Sequence, residues 1–534
     1  MRRWIKKWQK VIVWGLAIAF IAGIAFWSVG TYIAGRAKAN QENLSEEVVG
    51  YLEVKGQQVK DKDLQVTYRQ LEQEYQNLLM FYGWQNFDPL FDEPAQKALL
   101  LENILKENVV IYYAKQEKLF PSNKEISSKL AEYKKQIESN ESLLKYVKTY
   151  YGSVDNYLDK VIKPDVLRTM AVEKVRDKVA KVSEEDMKKY FEENMNQIKR
   201  KYDKVDASYV NFEDKTAAEK FLAEAQNVGF DQAATNLNLQ PQIFSGLTRG
   251  LFEEEYENQI FSAKEGEIVG PIPFASTFYV FKINKSFVIN NFDSFKNSDG
   301  YLSEMNSLQS ERFQNWYDSY VSENEIKLVI KDEVYNVWSK INKVSRFEDL
   351  VEIYQSLVKK LFAEDGSLLP DVPDTMKSAF LALLDKVRTF ANDDEINSLG
   401  PIKDQEKKVV EYLYNFYPSL LRVAQAMYRV NPDNVDAKYN YFSLLYSQIK
   451  PYLLPDYVPY ILQTILELEV GLESIARNED APKEYRTTAF YNLYDLTKSI
   501  GDKTSAKFYL NELRKLDPNY IDFDSALQEL ESGQ

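Results

Sequence analysis

Two empty columns in its composition narrow the chemistry open to this chain. Its 534 residues include no cysteine and no histidine. Without cysteine there is no disulfide, no thiol nucleophile, no thiolate-ligated zinc or iron–sulfur centre and no cysteine for a lipid anchor. Without histidine there is no Ser-His-Asp triad, no HExxH metal site and no imidazole general base. None of the 19 glycines precedes a lysine, and no GxGxxG occurs, so neither kind of phosphate-cradling loop is available. No metal and no cofactor are expected. Carboxylate chemistry remains open, but the acids are spread along helical faces. A run such as Glu253-Glu254-Glu255 reads as solvated surface rather than as a site.

The length calls for two to four domains. A hydrophobic fraction of 45% and an aromatic fraction of 14% are those of a folded chain, and the scarcity of Pro (17) and Gly (19) suits a helix-rich body. The N-terminus is the sharpest feature. Val11 to Gly35 contains no charged residue, and Val11–Ile33 is long enough to cross a bilayer at about 1.5 Å per residue. Arg2, Arg3, Lys6, Lys7 and Lys10 precede it without an acid, which by the positive-inside rule leaves that end in the cytoplasm and the bulk of the chain outside it. Trp4, Trp8, Trp14, Trp27 and Tyr32 suit the two interfaces. A cleaved signal peptide ending at Ala37-Lys38-Ala39 is the rival, but the apolar stretch is too long and Arg36 and Lys38 crowd the cleavage point. With its basic residues gathered at the N-terminus, the rest of the chain is more acidic than the whole-chain charge of −14. Nucleic acid is thereby excluded as a partner.

Alternation over residues 48–59 predicts a hairpin turning at Gly56. Helical periodicity then covers Leu64–Tyr82, Glu93–Lys118, Asn123–Ser139, Leu143–Tyr151, Val154–Val179 and Glu184–Lys199. Ser122 with Glu125, and Ser183 with Asp186, have the spacing of helix caps. Residues 202–285 change character. A strand at Ala207–Phe212, helices at Thr216–Asn227 and Phe230–Asn236, turns at Gly246, Gly250, Gly266 and Gly270, and a strand at Phe278–Ile283 make a small α/β module. A helix at Leu302–Glu323 and a strand at Ile326–Ile330 follow.

This arrangement resembles the membrane-anchored and periplasmic foldases of the SurA, PpiD and PrsA type, in which a parvulin-type prolyl isomerase module splits a helical chaperone domain. The resemblance spans roughly residues 45–330. It rests on Val182–Asn194, similar to the helix that feeds the module, and on Tyr256–Ile272, similar to the family segment Phe-Glu-Asp-Ala-x-Phe-x-Leu-x-x-Gly-Glu-x-x-x-Pro-Val. The departures fall on the family's polar site. Its two histidine positions correspond to Tyr209, in Ser208-Tyr209-Val210-Asn211, and Tyr279, in Thr277-Phe278-Tyr279-Val280-Phe281. Its Cys or Asp falls near Gln240. The proline pocket corresponds to Phe252, Tyr256 and Phe261, the last of which also reads simply as core. Isomerisation must overcome an amide barrier of ~18–20 kcal/mol, which takes directed hydrogen bonds to a twisted amide. A Tyr pair without the acid or thiol implies weak or absent turnover and a cleft that binds peptide.

Residues 331–534 are helical by pattern. Phe490–Tyr494 through Gly501-Asp502, Ala506, Leu513 and Leu516-Asp517-Pro518-Asn519 resembles a tetratricopeptide repeat, with a weaker copy ending at Val430-Asn431-Pro432. Lys450–Asp456 interrupts the array, and residues 363–373 form a loop.

The fold expected is mostly α with a small α+β insert: a basic tail and transmembrane helix (1–40), a helical SurA-like chaperone domain (41–200, completed by 286–330), a parvulin-like domain (201–285) and a C-terminal α-α repeat domain (331–534). The function expected is a membrane-anchored extracytoplasmic chaperone that binds unfolded, newly exported polypeptides. Its repeat domain would dock a protein partner near the translocon. Two alternatives stand beside it: an active isomerase using Tyr209 and Tyr279, and a repeat scaffold for an envelope complex.

Overall fold

The structure is a computed structural model that describes residues 45–82, 88–454 and 456–532. The expected membrane helix at Val11–Ile33 lies outside the described residues. Among those described, no helix is long and apolar enough to cross a membrane.

The strands, in chain order, are β1 (Val48–Val54), β2 (Gln57–Gln58), β3 (Val66–Thr67), β4 (Lys204–Phe212), β5 (Gln242–Thr248), β6 (Ile268–Phe274), β7 (Thr277–Phe287) and β8 (Ile326–Ile330). β1 pairs with β2, β3 and β8, and the hairpin turns on Lys55 and Gly56, both at positive φ. The helix expected from Leu64 begins at Tyr68, because Lys62–Leu64 is a 3-10 turn and Val66–Thr67 pairs with β1.

The chain divides into two compact units. One holds residues 45–53, Gln58–Lys106 and everything from Leu328 onward; the other holds Val54–Gln57 and Glu107–Lys327. This division cuts across the expected boundaries, which kept 41–200 together and began a new domain at 331. The reason is apolar. Leu90, Phe91 and Ala98 are buried in one core with Trp338, Phe380 and Leu413. Polar contacts follow the same grouping: Ser378 donates to the Leu90 carbonyl and Ser339 to the buried Glu102 carboxylate.

Within that first unit the helices Ile402–Phe416, Leu421–Val430, Val435–Ile449, Val458–Ala476, Lys483–Ser499, Lys503–Leu516 and Phe523–Ser532 form an array in which each packs on the next. Ends fall where Asn431-Pro432 and Asp517-Pro518 break the pattern. A Cβ on Gly471 would lie 2.1 Å from the Phe442 ring, so this crossing requires glycine.

In the second unit the expected caps form. Ser122 with Glu125 and Ser183 with Asp186 are both reciprocal capping boxes. Lys174, together with the Ser122 N–H and hydroxyl, pulls the exposed Glu125 carboxyl down to about 2. The helix Glu184–Tyr202 packs on Gly300–Glu323 through Met187, Phe191, Ile198 and Tyr301. At that junction Glu304 is buried and accepts from the Tyr190 hydroxyl (2.7 Å), the Tyr202 hydroxyl (2.6 Å) and Lys201 Nζ (2.8 Å). Burial pushes the Glu304 carboxyl up, but these donors outweigh it and hold the group below the usual carboxylate range. Further along the same helices Arg312 makes a two-pronged contact with Asp186 (2.8 and 3.1 Å).

Between these helices in the chain lies an antiparallel sheet of order β5-β4-β7-β6. Its period-two pattern sends Val210 and Val280 to one face, under the helices Lys215–Val228 and Phe230–Asn236. Val205, Ala207, Phe281 and Ile283 go to the other, under the helix Glu254–Ser262. β5 and β6 stand where turns were expected at Gly246 and Gly270, and that helix lies between the other two expected turns, Gly250 and Gly266. Gly246 lies in a bulge of β5, where it and Ser245 together stand opposite Asp206 of β4, and its N–H donates to Asp206 Oδ1 (2.8 Å). Gly270 lies inside β6 at φ 141°, with the Tyr279 carbonyl oxygen 2.8 Å from where a Cβ would stand. Both glycines serve strand irregularities and close backbone approach rather than chain reversal.

Candidate peptide-binding face

The register of the sheet brings Tyr209 and Tyr279 together. Tyr209 on β4 stands opposite Phe281 on β7, and Asn211 opposite Tyr279, so the two tyrosines are diagonal neighbours on one face. Their ring centroids are 5.5 Å apart at an interplanar angle of 46°. Both are half-buried, and neither hydroxyl is directed by a carboxylate or thiol. The Tyr209 hydroxyl donates instead to Oε1 of Gln242 (2.5 Å), its cross-strand partner on β5. Gln240, expected at the third polar position, is exposed ahead of β5 and is not the residue that meets Tyr209.

Around the pair the aromatic side chains form a row across the whole sheet. Phe244 on β5 lies 6.0 Å from Tyr209, Phe281 stacks on Tyr279 at 5.9 Å, and Phe274 on β6 lies 6.1 Å from Tyr279. Phe252 reaches the row from the loop after β5, 5.3 Å from Phe274 and 5.9 Å from Phe281. The loop is held by ionisable groups behind it. Glu257, buried on the helix Glu254–Ser262, accepts from the backbone N–H of Gly250 and of Phe252. Arg249 donates to the fully buried Asp203 carboxylate (2.7 Å). Asp203 also accepts from the Ile289 N–H (2.8 Å).

The three residues expected to wall the cleft separate. Phe252 is in the row. Tyr256 is half-buried against the same core, on the helix. Phe261 is 3% exposed and lies under the Arg249 guanidinium, 4.4 Å from its ring, so it is core and not wall. Gln242, Phe244, Phe274 and Phe281 were not singled out in the sequence. No alternation marks the first two, because Ile243 and Phe244 are adjacent and the bulge at Ser245–Gly246 breaks the period.

Such a face offers apolar contact, ring stacking and a few amide and phenol hydrogen bonds. It offers no charge aimed at a substrate amide. Among the described residues no cluster of acids is arranged to hold a metal ion.

Residues 182–294, which enclose this sheet, match the PPIC-type PPIASE domain, and residues 1–149 match the SurA-like N-terminal domain. The chain joins a SurA-like N-terminal domain to a PPIC-type parvulin domain. Curated relatives are foldases by name. A protein named foldase protein PrsA from Clostridium botulinum (strain Langeland) is 24% identical over 270 residues, covering 47% of this chain and 74% of its own length. The protein of that name from the Loch Maree strain is 22% identical over 315 residues, covering 55% of this chain and 87% of its own. Among solved structures, a SurA-like chaperone of Campylobacter jejuni is 14% identical, over 53% of this chain and 99% of that one, with a TM-score of 0.24. PrsA of Bacillus cereus is also 14% identical, over 56% and 96%, with a TM-score of 0.22. Within the PPIC-type domain of this chain, the open face is the aromatic row, and the buried Asp203 and Glu257 with the partly buried Arg249 serve the loop that carries Phe252.

Proposed function

We propose that the chain is an extracytoplasmic foldase-type chaperone whose PPIC-type domain holds unfolded exported polypeptides and contributes little or no prolyl turnover. The observation that carries this reading is the destination of the Tyr209 proton. It goes to the exposed amide Gln242, not into a relay with Tyr279 or an acid. A row of five partly exposed rings over the buried Phe281, with no tuned acid or base, favours binding an apolar or prolyl segment over twisting its amide. The apolar, uncharged Val11–Ile33 stretch with its basic flank supports a single N-terminal membrane anchor, cytoplasmic end first, with the body outside. Tethering would raise the local concentration of this body where chains emerge. The array over Ile402–Ser532 supports a tetratricopeptide-like docking region for a protein partner, plausible near the translocon, because stacked helix pairs build such surfaces.

A second reading keeps isomerase activity in the Tyr pair, since the two rings are neighbours on one face. Refolding of a test protein limited by proline isomerisation separates the two, with the full chain in lipid nanodiscs. Suppressed aggregation near equimolar chain with an unchanged rate is expected. Faster refolding at far below equimolar amounts would establish turnover and overturn the binding-only reading.

A further inference from the structure

The two edges of the PPIC-type sheet are finished differently. β6 closes its edge with Pro271 and Pro273, which have no N–H to offer, and Lys215–Val228 packs against it. β5, on the opposite edge, reads Gln242-Ile243-Phe244-Ser245-Gly246-Leu247-Thr248, with no proline and no charge. Among the described residues nothing hydrogen-bonds to the backbone on its outer side. Ile243 is 73% exposed there. Natural sheets blunt such edges with charge, proline, bulges or cover, because a bare edge is a template for another strand; β5 has the bulge at Ser245–Gly246, and Gln242–Phe244 before it run in regular register. In a chain whose residues are 28% charged, an uncharged bare edge stands out.

The aromatic row makes the edge more than bare. It crosses all four strands, from Phe274 through Tyr279 and Tyr209 to Phe244, with ring centroids 5.5–6.1 Å apart. That spacing is close to the separation of neighbouring strands, about 4.8 Å. The row therefore ends open at Phe244, where one more strand would place its next side chain. An added strand would also present alternate residues to Ile243 on the reverse face.

From this bare edge and interrupted row we infer that β5, over Gln242–Gly246, takes an extended segment of the client polypeptide as a fifth strand, with a large apolar or aromatic residue of the client continuing the row beyond Phe244. The inference rests on the foldase reading and specifies how that site grips its client: through backbone hydrogen bonds that any sequence can make, with ring contact selecting apolar segments. A second copy of the chain is the less suited occupant, since two chains that each carry a net charge of −14 repel.

The test uses the full chain in nanodiscs and an eight-residue peptide of alternating valine and tyrosine. Two variants carry N-methyl groups on every second amide, in one register or the other. A strand bonds to its neighbour through every second residue only. One methylated register is therefore expected to bind at least about tenfold more weakly, as the loss of one or two hydrogen bonds requires, while the other binds like the parent. Amide exchange at residues 242–246 should slow on adding the parent peptide. Equal binding of both registers would mean side-chain contact alone and would overturn the inference. Protection of 242–246 that rises with chain concentration in the absence of peptide would assign the edge to a second copy and overturn it too. If no peptide binds while the chain still suppresses aggregation, the edge inference fails and the foldase reading stands. Register-selective binding without suppression would leave the edge standing and remove the foldase reading.

Discussion

Around Glu304 the chain sets a buried carboxylate against two phenols and an ammonium; on the open face of the sheet it sets phenols against rings. Both regions are tyrosine-rich, and both belong to the same compact unit. In the first, every phenol has a charged partner and the group at the centre has a shifted pKa, yet the cluster lies between two helices. In the second, the phenols are diagonal neighbours on one face of the sheet, and the one hydroxyl with a partner meets an amide. The contrast teaches that a perturbed titratable group marks where this chain spends its charge on holding helices together. The open face of the sheet is built from polarisable rings instead.

Breaking either region should therefore give different symptoms. The largest effect is expected from Phe281→Ala, since this buried ring lies beneath both tyrosines and Phe252. A loss of about 3–5 kcal/mol in urea unfolding is expected, and client holding falls with it. Glu304→Ala should cost about 2–3 kcal/mol, as loss of a charged, multiply hydrogen-bonded group does. In that variant the peptide affinity of folded protein should be unchanged. Equal loss of affinity in the folded fraction would erase the distinction between the two regions.

A pH series sharpens the comparison. Glu304 and Asp186 have folded-state values below their ordinary ones. Their contribution is complete above the ordinary carboxylate range and disappears as pH falls through the lowered values. Tyr190 behaves oppositely. Burial, and then the bond to Glu304, push it up to about 12. Burial does the same to Tyr157 and Tyr320. The fold favours their neutral forms, so their stabilisation is complete below the ordinary value of 10.0 and lost as pH rises toward about 12. Circular dichroism should show unfolding at both extremes and a plateau between. The smallest effect belongs to Tyr209→Phe, which removes one half-exposed hydrogen bond. A change within about 1 kcal/mol is expected, with client holding retained.

The local grammar of this chain was legible. Ser122 with Glu125 and Ser183 with Asp186 announced helix starts that exist as reciprocal boxes. The hairpin at Gly56 and the helix stops before Pro432 and Pro518 are where the residues place them. The face carrying Tyr209 and Tyr279 was reachable by resemblance, because two strands sufficed to place them. β5 and β6 were not legible, since Gly246, Gly270, Pro271 and Pro273 carry turn chemistry that pairing to β4 and β7 overrides. Gln242 was hidden with them. The grouping of Leu90 and Phe91 with Trp338 and Phe380 was beyond any local pattern, because apolar periodicity says that a face is buried without naming what buries it.

That grouping has a consequence for the order of events during export. Residues 45–53 and 58–106 complete their core only with residues from 328 onward, whereas 107–327 are very nearly self-sufficient. A chain that emerges N-terminus first must leave its earliest segment unfinished while the middle one closes. The long loop between the two halves of the first unit costs little more to close than a short one, because closure entropy grows only logarithmically with length. Time is the larger constraint. Until the C-terminal helices arrive, Leu90, Phe91 and Ala98 have no core to enter, so for that interval the chain itself is a nascent chain with apolar surface to protect.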